Sequence, residues 1–239
     1  MKHRRHRGAR VVITGVVALT VAFAAPAAAP PPVEVVLTEA QLTAAGRAPA
    51  DVPDAGWAAA PAGIIEPEPH TQANDIEAGW CGGATDGYAA GELRAAAVAT
   101  NTLQKIAAPD EPYWFIWQTL YTFQESFGNS PSAQATNFLN TMQTAATECE
   151  SWTTIGGEIT NSISPAEVPF AALGQQRFAI EITTSGDGVS EVTHAVYVRV
   201  ANNVVVIHTR ILPTDPTLLK KIVKKATKKL KQAAAAAAA

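Results

Sequence analysis

The stretch Arg177–Arg210, "RFAIEITTSGDGVSEVTHAVYVRVANNVVVIHTR", decides the fold. Three runs rich in β-branched and aromatic residues alternate apolar with polar side chains. Clusters of Gly, Asp, Ser and Asn separate them, which is the pattern of a three-strand antiparallel meander. In the first run Phe178, Ile180 and Ile182 share a face. With "SGDG" as the reversal, that face is expected to continue through Val192, His194, Val196, Val198 and Val200. With Asn202–Asn203 as a two-residue turn, Val200 should stand opposite Val205, Val198 opposite Ile207 and Tyr197 opposite His208. One face of the sheet then awaits helices. The other displays Arg177, Glu181, Tyr197, Arg199, His208 and Arg210, of which Tyr197, Arg199, His208, Arg210 and Glu181 are the candidate ligand-binding residues. Guanidinium forks suit carboxylate or phosphate, so the expected ligand is anionic.

Upstream, "PYWFIWQTLYTFQ" at 112–124 has no internal Gly or Pro and reads as a strand buried on both faces or nearly so. From Pro131 the apolar residues Ala135, Phe138, Leu139, Met142, Ala145, Ala146 and Cys149 recur at three and four, the spacing of a helix with one buried stripe. A short helix precedes both in "LTEAQLTAAG", where Thr38 can cap the first turn and Gly46 can end it. The order of elements gives an α+β domain with an antiparallel sheet.

Charge is divided unevenly along the chain. Five of the eighteen basic residues lie in Met1–Arg10 and seven lysines lie between Lys220 and Lys231. Six basic residues remain between them beside all twenty-one acidic ones, so an overall −3 hides a body near −15. The terminal lysines alternate with Leu218, Leu219, Ile222, Val223, Ala226 and Leu230, which makes residues 216–232 an amphipathic helix. Two placements are open to it. It can cover the apolar sheet face, or it can lie on an anionic surface through Lys220, Lys221, Lys224, Lys225, Lys228 and Lys229; internal packing is the expectation, because the stripe lacks Trp and Phe. Residues 233–239 are expected to be a disordered alanine tail.

The opening "MKHRRHRGAR", "VVITGVVALTVAFAA" and "PAAAP" has the basic, apolar and small-residue layout of a secretory signal peptide over residues 1–29, with an uncleaved anchor as the alternative. Residues 30–36 read as a flexible leader, and 37–232 as one domain. An exported chain with two cysteines, Cys81 and Cys149, reads as having one disulfide, two buried thiols being the other reading. Catalytic signatures are absent: there is no G-x-S-x-G, H-E-x-x-H, phosphate loop or S-x-x-K. No histidine or second cysteine stands at metal-ligand spacing from either cysteine, and no cofactor or nucleic acid is expected. A hydrolase built on His208 is the enzymatic alternative.

Several stretches together carry a resemblance: "LTEAQL…ADVPDAGW", "TECESW", "ALGQQRFAIEI", "VRVANNVVVI" and "DPTLLKKIVKKATKKL". The chain resembles the PknH-like extracellular sensor domain family of actinobacteria over about residues 35–232. The resemblance implies a curved antiparallel sheet with helices packed on one face, and a cleft for an unidentified small molecule or envelope polymer. It supports Cys81–Cys149 as a structural bridge and supplies no catalytic residue. It departs in having one bridge where the fuller pattern has two, and neither a kinase nor a spanning segment is read in the sequence. The expectation is a secreted, non-enzymatic, sensor-like domain acting at the cell envelope.

Overall fold

The structure, a computed structural model, describes residues 33–60, 94–105, 114–148, 151–153, 159–166, 173–186, 188–210 and 215–239. Among these residues eight strands form one antiparallel sheet: β1 (Ala58–Ala59), β2 (Ala95–Lys105), β3 (Trp114–Phe123), β4 (Ser151–Thr153), β5 (Ile159–Ala166), β6 (Gln176–Gly186), β7 (Val189–Val200) and β8 (Asn203–Arg210). Their spatial order is β1-β2-β3-β8-β7-β6-β5-β4. Among the described residues three α-helices accompany them: α1 (Glu39–Ala45), α2 (Pro131–Glu148) and α3 (Pro216–Ala237). The architecture is α+β. The expected meander β6-β7-β8 occupies the middle, and the aromatic strand β3 pairs with β8.

The register differs from expectation at both turns. Val200 pairs with Asn203, Val198 with Val205 and Tyr197 with Val206, so the β7–β8 pairing is displaced by two residues and the turn is Ala201–Asn202. A displacement of two leaves every side chain on its expected face. Ala201, not an asparagine, takes the left-handed backbone, at φ 53°. Asn202 is spent on side-chain bonds instead. Its Nδ2 donates to Phe123 O (2.7 Å) and its Oδ1 accepts from Val35 N (2.9 Å). At β6–β7 the change has larger consequences, because Gly186 pairs with Val189 and Phe178 therefore lies opposite Tyr197. Phe178, Ile180 and Ile182 belong to the face of Tyr197 and Ala195, not to that of Val196 and Val198.

That parity gives the sheet two apolar faces, and helices pack on both rather than one. On the first face α1 and α3 cover Leu103, Ile116, Leu120, Val196, Val198, Val205 and Ile207. On the second, α2 sets Ala135, Phe138, Leu139 and Met142 against Tyr121, Phe123, Phe178, Tyr197 and Val206. Ring packing is tight there: Phe178 and Tyr197 stack at 4.3 Å between centroids and 7° between planes.

The terminal helix is part of the core. Leu218, Leu219, Ile222, Val223, Ala226 and Leu230 are buried, and the five larger side chains contribute roughly 10 kcal/mol of gross apolar burial before chain ordering is counted. Asp215 caps the helix, its Oδ1 accepting from Thr217 N (2.8 Å) and Leu218 N (3.1 Å), and Pro216 supplies the preset φ of the first turn. The helix runs to Ala237, with Ala234 buried and Ala233 and Ala237 packed against the same core. Within the leader, Val35 is tied down, since its carbonyl also accepts from Asn203 Nδ2 (3.3 Å) and Leu37 N donates to Thr122 Oγ1 (3.1 Å). Residues 1–29, Cys81 and Cys149 lie outside the described residues. Among the described residues no helix is long and apolar enough to cross a membrane.

Candidate ligand-binding face

The register arranges the second sheet face in rows. Tyr121, Val204, Arg199 and Gln176 form one row, followed by Thr119, Val206, Tyr197 and Phe178. Next come Trp117, His208, Ala195 and Ile180, and beyond them the separate pairs Phe115–Arg210 and Ile182–Thr193. Four of the five candidate residues therefore share a face, each in a different row. Arg199 and Arg210 are separated by six residues of strand, about 20 Å, and cannot grip one small anion together.

Local partners reduce their availability further. Arg199 Nη1 donates to Ala201 O (2.9 Å), and burial lowers its pKa against the pull of Glu34. Arg210 Nε is ion-paired with the Glu191 carboxylate. Burial pushes the Glu191 carboxyl upward, and the facing guanidinium opposes that shift. Tyr197 is 1 % exposed beneath α2, edge-on to His208 with ring centroids 6.3 Å apart. His208 is half-buried between cross-strand partners Trp117 and Ala195. Glu181 lies on the opposite sheet face, where its Oε2 is 3.3 Å from His194 Nε2; Arg177 pairs with Val198 on that same face. The six residues expected on one patch are thus split four and two. Among the described residues no three His, Cys, Asp or Glu side chains gather as a metal site.

A concavity lies one strand away from the expected patch. A cleft of about 160 Å³ opens between α2 and strands β5–β6, lined by Gln143, Ala146, Thr147, Ala166, Phe178 and Ile180, with Ala179 beside them. Its floor is Phe178 and Ile180, which face α2 only because the 187–188 reversal takes two residues. The volume is below the roughly 300–1,000 Å³ of a site enclosing a drug-sized ligand, so it fits a ring or a short acyl segment. Gln143 and Thr147 stand near the C-terminal end of α2 and offer polar atoms toward the mouth. Sequence reasoning missed these residues. Their only signal was the expected buried stripe of α2, which includes Ala146 one turn from Gln143 and next to Thr147.

No family model and no curated protein matches the chain. Among solved structures, the extracellular domain of PknH from Mycobacterium tuberculosis aligns with it at 17 % sequence identity and a TM-score of 0.37, over 54 % of this chain and 64 % of that one. The chain thus spans less than two thirds of that neighbour's length.

Proposed function

We propose that the chain is a non-enzymatic, sensor-like domain that is exported and binds a small ligand at the cell envelope, holding a ring or acyl portion of it in the cleft between α2 and β5–β6. The cleft is the observation that carries this reading: it is a concave apolar site rimmed by a few polar groups, as small-molecule sites are. His208 and Arg210 lie on β8, two strands from its floor on β6 and about 10 Å away, within reach of a polar extension of the same ligand. Export follows from the layout of residues 1–29, and a Cys81–Cys149 bridge accompanies it in an oxidising compartment.

Anilinonaphthalene sulfonate combines an aromatic body with one anionic group and serves as the probe. Thr147 is exposed at the mouth, so Thr147→Trp should fill the cleft without disturbing the fold. The expected result is a tenfold or greater weakening of probe binding in Thr147→Trp, an effect of threefold or less in Arg210→Ala, and an unchanged melting temperature in Thr147→Trp. Equal binding by Thr147→Trp and wild type would remove the cleft as the site.

A further inference from the structure

Helix α3 carries seven lysines and no acidic residue. Its apolar stripe is spent entirely inward, with Leu219, Ile222, Val223, Ala226 and Leu230 each 7 % exposed or less. Lys229 is drawn inward too, donating to Asp51 Oδ2 at 2.8 Å and to Gly46 O. Lys220, Lys221, Lys224, Lys225, Lys228 and Lys231 are exposed. Among the described residues both ion pairs of α3 are made by one acid, Asp51, which takes Lys229 and, at 3.4 Å, Lys225. Among the described residues, ion pairing with the acidic body thus engages two of the seven lysines, Lys225 and Lys229.

Lysines at 220, 224, 228 and 231 follow one another at four, four and three residues, forming a ridge about 16 Å long at 1.5 Å per residue. Lys221 and Lys225 flank it. Like charges four apart destabilise a helix by about 0.2–0.5 kcal/mol per pair, and a face serving only solubility would interleave glutamate with lysine. A ridge of one sign, kept in spite of that repulsion and held rigid by a fully buried opposite face, is suited to an extended anionic partner.

We infer that the outer ridge of α3 is a docking strip for a flexible phosphate-bearing polymer. A bilayer is the poorer match. Surface helices hold to lipid largely by burying an apolar face among the acyl chains, and α3 has none left to offer. A convex ridge also meets a plane along a single line, whereas a flexible chain can follow it and fold over both lysine rows. The strip lies on the α3 side of the sheet and the cleft on the α2 side, so the two sites are independent.

The test uses the intact domain and fluorescently labelled long-chain polyphosphate, read by anisotropy at 50 and 200 mM salt. If about five lysines engage, and the polymer behaves as a single-stranded polyanion does, affinity should fall roughly a hundredfold between those salt concentrations. Lys220→Gln/Lys224→Gln/Lys228→Gln should bind at least tenfold more weakly at 50 mM salt, with a melting temperature equal to or above wild type, because glutamine keeps the helix and removes repulsion. Flotation with phosphatidylglycerol vesicles should retain little protein. The inference is overturned by absence of polyphosphate binding at 50 mM salt, by binding that is insensitive to salt or to the triple substitution, or by vesicle retention that matches polymer retention.

Discussion

Individual residues fix the geometry at the turn end of the meander. Gly174 has φ +71°, and a Cβ there would stand 2.1 Å from Arg199 O and 2.8 Å from Val198 Cγ1. That carbonyl is already engaged by Gln175 N at 2.9 Å, while Gln175 Oε1 accepts from Ala201 N at 2.7 Å. The backbone at 174 thus locks β6 to the β7–β8 turn by an approach that only glycine permits. Gly174→Ala should cost more than about 2 kcal/mol, from left-handed strain plus the steric shift, measured as a fall in the urea midpoint at constant slope. A different single residue defeated the sequence reading of the turn. Asparagine tolerates positive φ, so Asn202–Asn203 was the natural assignment, but both asparagines are fully buried and bonded to the leader. Such long-range bonds leave no trace in local propensity.

Elements show how the acidic body and the basic helix meet. The loop after α1 presents Asp51 to α3, and Ala48 N (2.9 Å) donates to the same carboxylate oxygen that Lys229 reaches. Burial by itself would raise the Asp51 pKa, but the Lys229 bond, the Ala48 N–H and Lys225 outweigh it and hold the carboxyl at about 2. The folded value lies below the ordinary 3.8, so the stabilisation is fully present above pH 4 and is lost as pH falls toward 2. Lys229→Gln should lower stability by about 1 kcal/mol at pH 7, after screening is allowed for, and the difference from wild type should shrink between pH 4 and pH 2. Thermal melts across that range check it. The same loop buries Arg47, whose Nη2 donates to Asp51 O at 3.1 Å; desolvation draws its pKa down to about 10 against the attraction of Asp51. At this scale the sequence was most legible. The 3.6 period of α3 and the aromatic density of β3 identify both as core elements. Strand parity across the 187–188 reversal was not legible, because "SGDG" permits either a two-residue or a longer loop and a change of one residue exchanges the two faces. From that parity follow the second apolar face, the packing of α2 and the cleft.

In the described residues one sheet is sandwiched between α1 with α3 on one side and α2 on the other, and the two proposed sites fall on opposite sides of it. The expected anion patch is dispersed: Arg199 and Arg210 stand about 20 Å apart and Glu181 is on the reverse face, whereas the cleft lies beside Phe178, a residue assigned to the opposite side by pattern alone. The charged candidate residues therefore lie apart from the proposed cleft, whose shape depends on how α2 meets β5–β6 rather than on any motif. The most direct measurement is native mass spectrometry of the domain recovered from the culture fluid of its own source, beside Thr147→Trp prepared identically. The result expected is a small-molecule adduct on wild type that is absent from Thr147→Trp. An adduct retained equally by both proteins, or a bare mass for both, would contradict a ligand seated in the α2 cleft.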